Sequence, residues 1–208
     1  MTKPSKNIAI VGAGMAAITC ARTLMQAGHR VTVFEKSRGV GGRMSTRHSP
    51  YGTFDHGAQY FTVRDARFVQ ALQTTPKACK PWSANMVRVL DEHGRIASAA
   101  LPSREPHWVA TPSMNALVKA WSEPLGANLM LETRVTHLET DALHAKQWQL
   151  RTTGADDSVH VMGGFDAVVL AIPSPQAQVC CTPPPPPKTS VRKRLKTWRA
   201  YPSHPAGR

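Results

Sequence analysis

An α/β fold built on a parallel βαβ unit is what this sequence predicts, on three observations. A short apolar run ends in glycine at Asn7 to Gly12 (N-I-A-I-V-G). Apolar residues recur at helical spacing from Met15 to Gln26, and a β-branched run follows from Arg30 to Glu35 (R-V-T-V-F-E). Strand, glycine turn, helix and strand within about 30 residues make one crossover unit, expected to be right-handed.

The first run reads as a buried parallel strand because it is apolar without alternation. The helix closes at Ala27-Gly28-His29 with a glycine C-cap. A glycine-rich stretch, Ser37 to Thr46, leads into Phe54 to Thr62 and a helical Ala66 to Leu72. Asn85 to Leu90 and Arg95 to Ala99, joined by Asp91-Glu92-His93-Gly94, predict a β-hairpin. Trp108 to Thr111 predicts a short strand, and Met114 to Trp121 a helix with Pro112 near its first turn. Leu129 to Leu138, Trp148 to Thr152 and Val159 to Met162 predict an antiparallel meander. Phe165 to Ile172 (F-D-A-V-V-L-A-I) predicts a last buried strand, stopped by Pro173.

The 208 residues suffice to bury a core, and 41% hydrophobic with 19% charged residues fits a soluble globular chain. No run approaches the ~18 apolar residues of a membrane span, and the polar start, Met1 to Asn7, shows no signal peptide; a cytoplasmic location is expected. Cys20, Cys79, Cys180 and Cys181 form no C-x-x-C pair, and the nine histidines show no ligand spacing, so no metal is expected. The net charge of +13 is unevenly spread. Residues 1–177 carry 19 Lys and Arg against 13 Asp and Glu, whereas residues 178–208 carry seven Lys and Arg and no acid. A nucleic-acid-binding face would not concentrate its excess in a short tail.

Gly12-Ala13-Gly14-Met15-Ala16-Ala17 matches G-x-G-x-x-G/A between a strand and a helix, the Rossmann-type dinucleotide fingerprint. Gly12 permits the tight turn, Gly14 lets the backbone approach a pyrophosphate, and Ala17 keeps helix close to strand. Phosphates are then favoured at the helix N-terminus by free N–H groups and the dipole. Glu35, 23 residues beyond Gly12, ends the second strand, where an acid can accept hydrogen bonds from an adenosine ribose. Next comes Arg38-Gly39-Val40-Gly41-Gly42-Arg43, whose paired glycines allow a ligand to pass and whose Arg43 can grip a phosphate bidentately. A plain NAD-binding domain needs no such second element, so FAD is the expected dinucleotide.

Glu35-Lys36-x-Arg38-x-x-Gly41-Gly42-Arg43-Met44-x-Thr46, followed by Phe54-Asp55-His56-Gly57-Ala58-Gln59-Tyr60-Phe61-Thr62, resembles the renalase-like branch of the flavin amine-oxidase superfamily over residues 7 to about 177. The resemblance implies a three-layer ββα FAD/NAD(P)-binding domain from residues 1–75 and 105–177, a partial β-rich substrate domain at 76–104, and a disordered Pro-rich basic tail at 178–208. It implies that Gly12, Ala13, Gly14, Met15 and Ala16 line the FAD pyrophosphate and that Glu35 holds the ribose. Lys36, Arg38, Gly42, Arg43 and Met44 belong to the cofactor-binding loop, with Arg43 reaching the phosphates. Gln59 and Tyr60 lie at the flavin end, and Val135 lies in the strand whose backbone meets the adenine. Thr111-Pro112-Ser113-Met114 resembles the segment opening the helix before that strand, and Asp166 to Pro173 the strand returning to the parallel sheet. The implied chemistry is hydride transfer from a small-molecule substrate, a dihydronicotinamide isomer or an amine, to the flavin, with O2 reoxidising it. No catalytic side chain is assigned.

Past Gln178 the expected family pattern is absent: five prolines, Pro183 to Pro187, precede Val191-Arg192-Lys193-Arg194-Leu195-Lys196. The tail reads as a polyproline spacer and basic end, the product of a truncated or frameshifted gene, which would impair activity. A non-catalytic nucleotide-binding fragment or interaction protein, and nucleic-acid binding through the tail, are the alternatives.

Overall fold

The computed structural model describes residues 4–83, 88–99 and 106–182. The proline run at 183–187, the basic stretch beyond it and residues 85–87 of the first hairpin strand lie outside the described residues. In chain order the elements are β1 (Asn7–Val11), α1 (Met15–Gln26), β2 (Arg30–Phe34), β3 (Arg47–Ser49), β4 (Gly52–Phe54) and β5 (Phe61–Thr62). Then come α2 (Ala66–Gln73), β6 (Cys79–Pro81), β7 (Arg88–Leu90), β8 (Ile96–Ala99), β9 (His107–Ala110) and α3 (Ala116–Ser122). The last group is β10 (Leu129–Met130), β11 (Arg134–Thr140), β12 (Trp148–Thr153), β13 (Val159–Phe165), β14 (Ala167–Leu170) and α4 (Ser174–Cys181).

The central sheet is parallel in the order β10-β2-β1-β14. Its strands alternate between two apolar faces, because successive side chains point to opposite sides of a strand. Ile8 and Ile10 face the helices, packing with Ala17 and Ile18 of α1 and Leu117, Val118 and Trp121 of α3. Ala9, Val11 and Phe34 face the other way, onto Val135, Leu150 and Phe165 of the antiparallel sheet β11-β12-β13. Helices, parallel sheet and meander are therefore the three layers the sequence predicts, in a Rossmann-like α/β fold.

Three expected boundaries shift. Leu129 to Leu138 is not one meander strand but two pieces in different sheets. The chain pairs briefly with β2 and then turns at Glu132 (φ 51°), where the Glu132 N–H donates to the Ser37 carbonyl at 3.1 Å and the Thr133 N–H to the Glu35 carbonyl at 2.9 Å. Phe165 ends β13 instead of opening the last parallel strand. The switch between sheets is pinned by Asp166, whose carboxylate accepts the Asn7 N–H at 2.7 Å and whose own N–H donates to the Asn7 carbonyl at 2.8 Å. Residues 178–181, assigned from sequence to the tail, form the last turn of α4, which buries Cys180 against the meander.

A smaller sheet, β5-β9-β6, joins Phe61 and Cys79 to the helix-side core. The expected hairpin is present as β7-β8, with Asp91 accepting the His93 and Arg95 N–H groups in the turn. Among the described residues no helix is long and apolar enough to cross a membrane.

Two outcomes follow for stability. Phe34 is 1% exposed and meets Phe165 edge-on at 6.0 Å, so Phe34→Ala is expected to cost about 3–5 kcal/mol in urea unfolding. Asp65 caps α2 by accepting the Arg67 N–H at 2.8 Å, and its bond to the Arg67 guanidinium holds its carboxyl at about 2, below the ordinary 3.8. A carboxyl depressed on folding contributes stability that is complete above its unfolded pKa and lost as pH falls through the folded one. Between pH 3.8 and about 2, Asp65→Ala should therefore flatten the fall of stability with acid, followed by circular dichroism.

Candidate functional site

The carboxyl ends of the parallel strands converge on one edge, and the loops leaving them build the site, as open α/β sheets do. At the end of β1 the Gly12 N–H donates to the Phe34 carbonyl at 2.7 Å. Gly12 has φ +103°, and a Cβ there would stand 2.8 Å from the Ala171 carbonyl oxygen and 2.9 Å from Ile172 Cγ2. Only glycine fits this turn. Ala13 is fully buried, while Gly14 opens α1 with no capping side chain and no acid in the first turn, leaving its N–H groups for an anion.

The Glu35 carboxylate ties the turn to β2: one oxygen accepts the Ala13 N–H at 2.8 Å, the other the Ser37 N–H at 2.9 Å. The second glycine element closes against the first. The Gly41 N–H donates to the Ala13 carbonyl at 3.0 Å, Gly14 and Gly41 form a parallel bridge, and a Cβ on Gly42 would lie 3.0 Å from Gly14 Cα. Arg43 follows in a short 3-10 turn, exposed. Its carbonyl accepts the Ala58 N–H at 2.7 Å, and a Cβ on Gly57 would run into that same oxygen. Thr46 and Asp55 reach further. Thr46 Oγ1 donates to Asp55 Oδ1 at 2.6 Å, and together they accept the Met114 and Asn115 N–H groups at 3.0 and 3.2 Å. The motif segment from Thr46 to Asp55 thereby satisfies two buried backbone donors just ahead of α3.

Beside Glu35 lies a pocket of about 510 Å³, lined by Gly12, Glu35, Lys36 and Val135 from the predicted set. Its other walls are Arg134 and His137 of β11, and Gln176, Val179 and Cys180 of α4. The α4 residues escape sequence reasoning because they follow Pro173, where the last strand stops. The usable signal is Ser174-Pro175, since proline is favoured in a helix's first turn. Lys36 Nζ donates to Gln176 Oε1 at 3.3 Å, and Cys180 Sγ donates to the Val135 carbonyl at 3.4 Å.

The remaining predicted residues divide. Met15 is half-buried and packs on the core, as does Met44, while Ala16 is exposed at the start of α1. Arg38 and Gln59 are exposed and do not line the pocket. Tyr60 is half-buried, stacked on His107 at 4.1 Å and Trp82 at 5.7 Å. Burial pushes the Cys79 thiol up to about 11 and raises that of Cys180. Among the described residues no cluster of three His, Cys, Asp or Glu could hold a metal ion.

A glycine turn feeding an uncapped helix, with an acid at the end of the next strand, defines a dinucleotide-binding protein of Rossmann type. Comparison with known proteins narrows the class. Residues 10–73 match the NAD(P)-binding Rossmann-like domain. Residues 91–202, more than half of the chain, match the flavin containing amine oxidoreductase family, and the chain belongs to it. That match runs on through the stretch past residue 178 that sequence reasoning set apart from the family.

A 4,4'-diapophytoene desaturase of Staphylococcus haemolyticus is 47% identical over 58 residues, which are 28% of this chain and 12% of that protein. An L-amino-acid oxidase of Naja atra is 48% identical over 48 residues, 23% of this chain and 10% of that one. The chain thus spans about a tenth of the length of these curated relatives. Among solved structures, a redesigned triple mutant of putrescine oxidase aligns with TM-score 0.61 at 12% identity, over 85% of this chain and 60% of that one, a likeness of fold.

The cofactor of this family's cradle is FAD, and the residues present fit it. Backbone stands where Cβ atoms would block the loops, the helix start is open to phosphate, and a carboxylate borders the adjoining pocket. Gly57→Ala is expected to force the Arg43 turn off Gly14, lowering stability by about 1–3 kcal/mol and weakening FAD retention after gel filtration.

Proposed function

We propose that this chain forms the cofactor-holding part of a renalase- or amine-oxidase-type FAD-dependent oxidoreductase. A reduced small molecule, an amine or a dihydronicotinamide isomer, gives up a hydride, and O2 is the final acceptor. The observation that carries this reading is the Glu35 carboxylate, fixed by the Ala13 and Ser37 N–H groups at the rim of the 510 Å³ pocket. Each of its oxygens keeps a lone pair for a ribose hydroxyl.

A two-electron acceptor is the chemistry supplied by FAD when bound. The chain's own residues bind and orient. The first N–H groups of α1, from Gly14 to Ala16, offer donors to the pyrophosphate, and exposed Arg43 and Arg38 supply positive charge nearby. The edge of β11 at Val135 and the wall of α4 shelter the adenosine end from water. Toward the flavin end, stacking on His107 and Trp82 keeps the Tyr60 ring from swinging freely. The family match and the two short alignments with oxidoreductases support the class of reaction.

The test is reconstitution of the purified chain with FAD. Uptake with a visible flavin band is expected, and Glu35→Gln should weaken it about tenfold by replacing one acceptor oxygen with an amide donor. No FAD uptake would sink the reading. Anaerobic bleaching of the band by an amine or by a dihydronicotinamide isomer then identifies the substrate class, with H2O2 released on admitting air. Uptake without bleaching by either favours a non-catalytic nucleotide-binding role.

A further inference from the structure

We propose that Tyr60, Trp82 and His107 form a stacking platform for the substrate, one that favours a planar unsaturated ring over a saturated or open-chain group. Resting on the FAD reading above, this narrows the substrate of that site by shape and gives a role to Trp82 and His107, which no motif marks.

The platform belongs to the small sheet β5-β9-β6, whose two sides differ. Phe61, Cys79 and Ala110 join the helix-side core. Phe61, Trp108 and Pro81 stand in one row across the sheet. Tyr60, His107 and Trp82 are their chain neighbours and take the other side, because successive side chains of an extended chain point opposite ways. Tyr60 and Trp82 accordingly lie outside both core clusters, and all three rings are only half-buried. They pack on one another instead. Tyr60 is stacked on His107 at 4.1 Å and 30°, and on Trp82 at 5.7 Å and 20°, while Trp82 and His107 stand 6.3 Å apart at 38°. The Trp82 N–H donates to the His107 carbonyl at 2.8 Å, which fixes the backbone beneath those two rings. Planes so nearly aligned share a stacking direction, and a fourth flat ring can join them in the offset geometry that aromatic pairs prefer. Rings on the outward side of a sheet also keep apolar area in water, which a ligand would cover.

Position ties the platform to the cofactor loops. Tyr60 follows Ala58 by two residues, a span of about 7 Å at most, and the Ala58 N–H donates to the Arg43 carbonyl at 2.7 Å. None of the three rings lines the pocket beside Glu35. With the adenosine in that pocket, the platform stands past the Arg43 turn, where the reading above puts the flavin. A flat ring gains contact over its whole face on such a surface, whereas a puckered ring of the same size touches it only through a few hydrogens.

The experiment is isothermal titration of the FAD-loaded full chain with benzamide and with cyclohexanecarboxamide, two neutral amides of similar size that differ in having a flat or a puckered ring. Benzamide is expected to bind about threefold to tenfold more tightly. Trp82→Leu and His107→Leu keep apolar bulk without a stacking face and should erase that preference, while His107→Phe should retain it. Equal binding of the two amides by the unsubstituted chain overturns the proposal without recourse to any variant. A preference that survives both leucine substitutions overturns it too, as does an equal loss of both amides, which marks the rings as scaffold. Should one leucine variant fail to fold by circular dichroism, the other decides together with His107→Phe. Absence of FAD uptake by the unsubstituted chain defeats the cofactor reading and the platform with it, whereas FAD uptake without ring preference defeats the platform alone.

Discussion

Four backbone groups from three segments meet at Glu35. Its carboxylate takes the N–H of Ala13 from the glycine turn and the N–H of Ser37 from the loop after β2. Its backbone N–H donates to the Met130 carbonyl at 2.8 Å, and its carbonyl accepts the Thr133 N–H at 2.9 Å. One residue therefore locks the turn below the helix start, the loop carrying Lys36, and the corner where the chain leaves the parallel sheet for the meander. Such convergence requires that β1, β2 and β10 run parallel, so that their carboxyl ends share an edge. Electrostatically, the arrangement sets one acid near an otherwise acid-free helix start. The helix N-terminus remains available to a phosphate, and the acid remains available to hydroxyls.

The cofactor loops are held by backbone more than by side chains. Gly14, Gly41 and Gly42 touch main chain to main chain, and Gly57 lets the Arg43 carbonyl meet the Ala58 N–H. Side chains of the same motifs do different work. Asp55 and Thr46 serve the first N–H groups of the α3 segment, and Met44 packs on the core. A motif that reads as ligand-binding is thus partly scaffold. Displacing it would loosen a helix whose buried Leu117, Val118 and Trp121 support the central sheet.

Legibility in the sequence followed the range of the forces involved. β1, α1 and β2 could be read because periodicity, a glycine C-cap and a fingerprint turn are local properties, and each agrees with the others. The meander strands were legible for the same reason. The break at 131–133 was not, because Leu129 to Leu138 looks continuously strand-like. Only hydrogen bonds to Ser37 and Glu35, almost a hundred residues earlier, divide it. Likewise α4 carries little helical patterning of its own. Its Val179 is 64% exposed, and what holds it is the contact of Cys180 with β11 and of Gln176 with Lys36.

By itself, the sequence determined the class of this protein: an α/β dinucleotide fold, its glycine turns, the acid that follows its second strand and its kinship with flavin amine oxidoreductases. These are short-range facts, set by which backbone angles glycine allows and how apolar residues repeat. The tertiary structure alone decided that Glu35 spends its carboxylate on two backbone N–H groups, that Asp55 accepts the Met114 N–H just ahead of α3, and that α4 walls the pocket beside Glu35. Those depend on which distant donors and acceptors must find each other once water is excluded, a constraint that arises only when the chain is closed.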